Sequence, residues 1–173
     1  MSYKKDLKPY VKGELNFVTA LVAFIRISGF RAIILFRMSN RNYTRGNYIR
    51  AAMLTRLIRF TCNIDIEATA QIGCGTRMPH PFSIIIGGNA KIGDNCTIMQ
   101  CVTIGGNQGK IKDGITQPQI GDGVFLGPGA KLLGPVMIGD NAKIGANSVV
   151  IKDVPPGALA VGVPAIIKQR VGR

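Results

Sequence analysis

Two hydrophobic rhythms divide the chain. From Glu14 to about Asn40 apolar residues are dense: Leu15, Phe17, Val18, Leu21, Val22, Phe24 and Ile25, then Ile33, Ile34, Leu35, Phe36 and Met38. The length and composition of this run predict two helices with a break at Ser28-Gly29. Arg41 to Asn47 is polar, contains Gly46 and reads as a turn. Tyr48 to Cys62 reads as a further helix. Met53, Leu54, Leu57, Ile58 and Phe60 form its apolar side, and Arg50, Arg56 and Arg59 its basic side. Helices of this type lie on a membrane surface or, more often, pack on a neighbouring domain with their arginines outward.

From Ile64 the period becomes six. An aliphatic residue recurs at Ile66, Ile72, Met78 and Ile84, then after a two-residue slip at Ile86, Ile92, Ile98 and Ile104. After an insertion, Gly105 to Gln119, it resumes at Ile120, Leu126, Leu132, Ile138, Ile144 and Val150. Gly follows many of these positions, and a small or β-branched residue often stands two places before them. Each six residues predict a short strand and a turn, and three such units close one triangular coil. Stacking buries the aliphatic side chains in ladders, and the glycines are expected to supply the unusual backbone angles of the turns. One coil cannot bury its own interior, so roughly four to five coils make the stable unit. The predicted fold is mainly β: a parallel β-helix at 64–157 with an inserted loop at 105–119. A basic α-helical segment at 1–63 precedes it and a closing segment at 158–173 follows.

Composition agrees with a folded chain. Of 173 residues 46% are hydrophobic and 18% charged, so a core can form. The net charge of +13 is uneven, since residues 1–63 hold twelve basic side chains against Asp6 and Glu14. That segment suits an anionic partner such as lipid headgroups, an acidic glycan or nucleic acid, or else serves as a solvated face. No aromatic stacking platform or groove-reading motif supports nucleic acid. Cys62, Cys74, Cys96 and Cys101 form no C-x-x-C and read as buried or spare thiols of a reducing compartment. No signal peptide is visible, and Arg26, Arg31 and Arg37 interrupt the apolar run after Phe17, which argues against a spanning helix. The expected location is the cytoplasm, with the inner membrane face as a second station.

The motifs of the periodic region are specific: I-D-I-E-A-T-A-Q-I-G at 64–73, M-P-H-P at 78–81, I-I-I-G-G-N-A-K-I-G-D-N at 84–95, V-T-I-G-G at 102–106, I-G-A-N-S-V-V-I-K-D-V-P-P-G at 144–157 and G-V-P-A at 162–165. They resemble the hexapeptide-repeat acyltransferases. The resemblance points to the serine acetyltransferase branch and its relatives that O-acetylate bacterial surface polysaccharides. It implies a left-handed winding, a homotrimer, acetyl-CoA held between neighbouring chains, no metal, and an inserted loop that walls the active site.

His80 is the only histidine. Acyl transfer from a thioester to an alcohol needs a base near neutrality, and imidazole suits it. By resemblance His80 matches the family's catalytic histidine and Asp65 the carboxylate that orients it. Asp65 as a plain cap of the first coil is the alternative, and Glu67 a weaker substitute for it. The resemblance places acetyl-CoA along Gly105, Gly127, Ala146 and Ser148, with Lys152 and Lys168 for its phosphates. It also marks departures. Serine acetyltransferases carry Asp beside the catalytic histidine, where this chain has Pro79, and Arg-His after the loop, where it has Thr116 and Gln117. Glu14 stands too far from Gly29 to match their N-terminal substrate aspartate. The family's sulfhydrylase-docking tail is not expected here. A free amino acid needs counter-charges for its ammonium and carboxylate. The expected acceptor is therefore a hydroxyl of a surface polysaccharide or its lipid-linked precursor, met at positions 79, 116 and 117, with the Gln117 amide a candidate for the oxyanion. Serine O-acetylation is the alternative, and a non-catalytic β-helix module is the reading from another class. One histidine is too few for a zinc-dependent β-helix hydratase.

Overall fold

The computed structural model describes residues 3–168; the last five residues of the expected closing segment lie outside them. Four helices come first: α1 (Tyr3–Leu7), α2 (Phe17–Arg26), α3 (Ser28–Thr44) and α4 (Tyr48–Cys62). Asn16 starts α2 by accepting the Thr19 N–H at 2.8 Å. The chain bends by 107° between α2 and α3, at Ile27, and no single helix is long and apolar enough to cross a membrane. Asn63, in the left-handed region at φ 55°, ends α4 and turns the chain into the first strand.

The rest is a three-sided stack of parallel strands. The first sheet runs β1 (Ile64–Ile66), β3 (Ile84–Ile86), β6 (Thr103–Gly105), β9 (Lys131–Leu133), β12 (Val149–Val150). The second holds β2 (Gln71–Ile72), β4 (Lys91–Ile92), β7 (Gln119–Ile120) and β10 (Met137–Ile138). The third holds β5 (Thr97–Ile98), β8 (Phe125–Leu126), β11 (Lys143–Ile144) and β13 (Leu159–Val161), and closes with an antiparallel strand, β14 (Ile166–Lys168). The register explains the sequence slips. Ile66 pairs with Ile86, Ile86 with Ile104, and Ile104 with Leu132, so the extra residues leave the ladders intact and bulge out at the corners. The recurrent aliphatic side chains fill the interior with almost no exposure, as the six-residue period predicts.

The glycines behave differently from expectation. Those directly after the aliphatic residue, such as Gly93 and Gly127, do not use positive φ. They are required by crowding, because a Cβ on Gly127 would stand 2.7 Å from the Ile144 oxygen on the next coil. The left-handed conformation falls two residues after them, at Gly75, Asn95, Gly123, Asn141 and Asn147, or beside the third corner, at Ser83 and Cys101.

The helices close the lower end of the stack. Carbonyls of the first coil have no coil beneath them and would be orphaned. Asn40 of α3 donates to Ala68 O (2.8 Å) and Ala70 O (3.2 Å), and Arg37 donates to Ile72 O and Gly73 O. Arg37 is held in turn by the buried Asp6 of α1 at 3.0 Å. Between the second and third sheets an aspartate ladder links the coils. Asp94 accepts from Cys74 N, Asp122 from Asp94 N and Asp140 from Asp122 N, all at 2.7–2.8 Å.

Candidate active site

His80 lies in the corner between the third and first sheets, on the six-residue stretch Met78–Ser83 that contains the two-residue slip. Pro79 and Pro81 restrict the backbone on both sides of it. The imidazole is exposed and makes no hydrogen bond among the described residues. The corner itself is well supported from behind. The Met78 N–H donates to the Tyr10 hydroxyl oxygen at 2.8 Å, and Gly29 at the start of α3 lies flat against the Met78 carbonyl, where any side chain would collide. Burial pushes the Tyr10 phenol up to about 12, against smaller lowering effects from the Met78 N–H and Arg77.

Asp65 occupies the middle of β1, opposite Ile85, and is half-buried. Its Oδ1 accepts from Arg59 of α4 at 2.7 Å, so in this structure the carboxylate is paired with a guanidinium and not with His80. Its Oδ2 has no hydrogen bond among the described residues. The expectation of a formed Asp65–His80 pair is corrected to this extent. The cause is the end of α4, which brings Arg59 over the first strand.

The residues expected to hold the acceptor are split. Pro79 stands beside His80, but Thr116 and Gln117 end the inserted loop at the opposite edge of the first sheet. Thr116 Oγ accepts from Asn89 at 3.2 Å, and the Gln117 side chain lies over Gly87. The Gln117 Oε1 is buried and meets no hydrogen-bond donor among the described residues. His80 precedes β3 and Gly87 follows it, so the two stand at different corners of the stack. Within one chain, His80 and Gln117 thus lie at opposite ends of β3.

The donor residues fall into two groups. Gly127, Ala146 and Ser148 line the same corner as His80, two to three coils further along the stack. Ala146 is exposed there, and Gly127 is buried between coils. Ser148 is fully buried and its hydroxyl accepts from Gly162 N–H at 3.1 Å, so it shapes the wall and cannot touch a ligand. Gly105 and Lys152 belong to the loop-side edge. There Asn107, Lys110, Lys112, Leu133, Pro135 and Lys152 surround a cleft of about 330 Å³. Lys168 is exposed at the end of β14.

Three supports went unread in the sequence. Tyr10 is separated from Met78 by 68 positions, and nothing local marks the pair. Arg59 was legible only as part of a basic helix side. Lys112 at the loop tip is bonded to Asp153 at 2.6 Å, and Asp153 also accepts from Met137 N–H, so the loop is latched to the upper coils. Of the thiols, Cys96 is buried and pushed up to about 11, chiefly by that burial, which removes it as a nucleophile near neutrality.

Residues 117–152 match the family model described as bacterial transferase hexapeptide (six repeats). The serine acetyltransferase of Helicobacter pylori (strain ATCC 700392 / 26695) is 42% identical over 144 residues, which are 82% of this chain and 83% of that protein. The serine acetyltransferase of Staphylococcus xylosus is 36% identical over 94% of this chain and 78% of its own length. The crystal structure of Neisseria gonorrhoeae serine acetyltransferase superimposes with a TM-score of 0.86 at 35% identity, over 99% of this chain and 65% of that one. A serine acetyltransferase structure in complex with CoA gives a TM-score of 0.82 at 32% identity, over 96% of this chain and 68% of that one.

These relatives correct the expected acceptor. Proteins matched across most of the chain are named for serine, which overturns the surface-polysaccharide reading built on Pro79, Thr116 and Gln117. Three substituted positions carried too much weight in that reading against likeness over more than 140 residues. With its parallel three-sided stack, its hexapeptide repeats and this likeness to whole structures, the chain is a left-handed β-helix acyltransferase and belongs to the serine acetyltransferase family.

Proposed function

We propose that this protein transfers the acetyl group of acetyl-CoA to the side-chain hydroxyl of L-serine, with His80 as the general base. The observation that carries the reading is the 42% identity to a serine acetyltransferase over most of both chains. The exposed, braced His80 gives it a chemical centre. The serine hydroxyl donates to the imidazole, the base takes that proton as the oxygen attacks the thioester carbonyl, and the tetrahedral intermediate collapses. Coenzyme A leaves as its thiol, taking the proton back from the imidazolium. Asp65 acts through its free Oδ2, which can accept from the ring and stabilise the imidazolium, while Arg59 holds Oδ1.

The split between His80 and Gln117 supports assembly as a homotrimer, in which one chain's His80 corner meets the loop edge of the next. Gln117 Oε1, unpartnered among the described residues, then suits the serine ammonium as an acceptor. Thr116 supplies a neutral contact beside it, and Pro79 a wall. Acetyl-CoA lies along the corner of Gly127 and Ala146. Lys152 at the loop-side edge and Lys168 beyond it suit the phosphates, with Gly105 leaving open space for the pantetheine arm.

The deciding experiment follows CoA release from acetyl-CoA by the purified chain, with L-serine against a panel of sugars and oligosaccharides. L-Serine as the preferred acceptor, with turnover lost in His80→Ala, is the expected result. Turnover with a sugar and none with serine would overturn the proposal.

A further inference from the structure

The helical segment leaves an unusual amount of apolar surface uncovered. On α2, Phe17, Val18, Leu21, Val22 and Ile25 point outward, with Phe17 72% exposed. The spacing puts them on one side of the helix. On α4, Ile49, Met53, Leu57 and Phe60 form a second stripe, with Ile49 80% and Phe60 91% exposed. This reverses the expected packing of α4, of which only Ala51, Ile58 and Cys62 are buried.

Arg31 ties the two helices together at one end. The guanidinium of Arg31 donates to Ile25 O at 2.9 Å and to Thr61 O at 3.0 Å, which brings the C-terminal ends of α2 and α4 together. Ile25 and Phe60 therefore lie near that junction, one on each apolar stripe. An all-apolar groove lined by Tyr3, Phe17, Leu21, Phe24, Phe30 and Ile34 opens on the α2 side.

The charges around this surface have one sign. Lys4, Lys5, Lys8 and Arg26 are exposed near α2, and Arg50 and Arg56 on α4. Asp6 is buried against Arg37, which leaves Glu14 as the sole exposed acid of the helical segment among the described residues. A second copy of this surface would bring like charges together with almost no carboxylate to answer them. An anionic bilayer answers both features, because its phosphates pair with the basic rim and its acyl region takes the apolar stripes.

We infer that the α2–α4 surface docks on anionic lipid membranes, Phe17, Leu21, Ile25 and Phe60 entering the headgroup boundary while the flanking lysines and arginines bind lipid phosphate. Phe17, Leu21, Ile25 and Phe60 make none of the hydrogen bonds that support His80 or Asp65, though Phe60 directly follows Arg59.

The test is sedimentation of the full chain with phosphatidylcholine vesicles, with and without phosphatidylglycerol, at two salt concentrations. Binding should require phosphatidylglycerol and weaken with salt. It should fall by about five-fold for each exposed lysine neutralised, as in Lys4→Gln. Ile25→Glu with Phe60→Glu should abolish it while CoA release stays at the parent rate, which shows that the variant is folded. Equal binding to neutral and anionic vesicles, or none to either, overturns the inference. A concentration-dependent rise in mass that the double variant removes would make a second copy the occupant and also overturn it. So would binding to duplex DNA that the double variant leaves intact and that outcompetes the vesicles.

Discussion

The hydroxyl of Tyr10 accepts a 2.8 Å hydrogen bond from the backbone N–H of Met78, two residues before His80. A residue of the N-terminal segment thus fixes the corner that presents His80. Tyr10→Phe removes the acceptor and leaves a part-buried N–H unpaired, which costs about 1–2 kcal/mol. Thermal unfolding should show that loss. Steady-state kinetics should show a lower kcat with little change in the KM for acetyl-CoA, since the corner proposed for the donor lies higher on the stack.

The same phenol predicts a response to alkali. Its pKa lies above the ordinary 10.0, at about 12, because burial disfavours the phenolate. A raised acid pKa means that the folded state holds its proton longer than the unfolded one. The associated stability is complete below pH 10 and is lost as pH climbs toward 12. Denaturant titrations between pH 9 and 11.5 should show this decline, and Tyr10→Phe should remove that part of it.

Asp65 and Arg59 should separate in kinetics. Asp65→Asn keeps an acceptor but lacks the charge that steadies an imidazolium, so kcat should drop by roughly 10-fold or more. Arg59→Ala frees Oδ1 and should change kcat far less, since Oδ2 has no hydrogen bond among the described residues and stays available as an acceptor. A larger loss in Arg59→Ala than in Asp65→Asn would show that the pair serves only to join α4 to β1.

Along the aspartate ladder, Asp122 both accepts from Asp94 N–H and donates its own N–H to Asp140. Asp122→Ala should destabilise the stack by about 1–2 kcal/mol through the lost acceptor. Asp122→Asn retains a carbonyl oxygen and should recover most of that loss. Chemical denaturation of the two variants makes the comparison directly.

At the loop, the Asp153 carboxyl is held below its ordinary range by Lys112 first and by the Met137 N–H second. A lowered carboxyl pKa contributes stability that is present above the ordinary 3.8 and is lost as pH falls through the folded value. The latch should therefore persist to acid below pH 3.8. Both partners are about half exposed, so solvent screening keeps its worth small. Lys112→Ala should show faster hydrogen exchange over residues 107–116 with almost no change in melting temperature.

The β-helix was legible because its signal is periodic. Fourteen aliphatic positions, from Ile66 to Val150, fall in registers that ladder packing demands. The helices over 17–44 and 48–62 were legible as elements, but the outward turn of α4's apolar side was not, because amphipathic spacing does not say which face is covered. His80 stood out by its setting and its solitude, and the structure places it exposed in a corner of the stack. Tyr10–Met78 and Lys112–Asp153 were not, since each joins residues 41 to 68 positions apart without a repeat to announce it. The acceptor was misread because Pro79, Thr116 and Gln117 are conspicuous losses of charge, whereas likeness spread over many ordinary positions cannot be weighed in one sequence.

Asn40 and Arg37 have a consequence beyond holding α3 in place. A stack of parallel coils is a template, and an open row of carbonyls invites whatever strand arrives next. Here the row is already taken by side chains that cannot themselves be extended. Growth by end-to-end addition is blocked at that face, so the chain has a built-in origin: coils can be counted from it in one direction only. Replacing Asn40 by leucine would uncover two of those acceptors and turn a terminus into a seed.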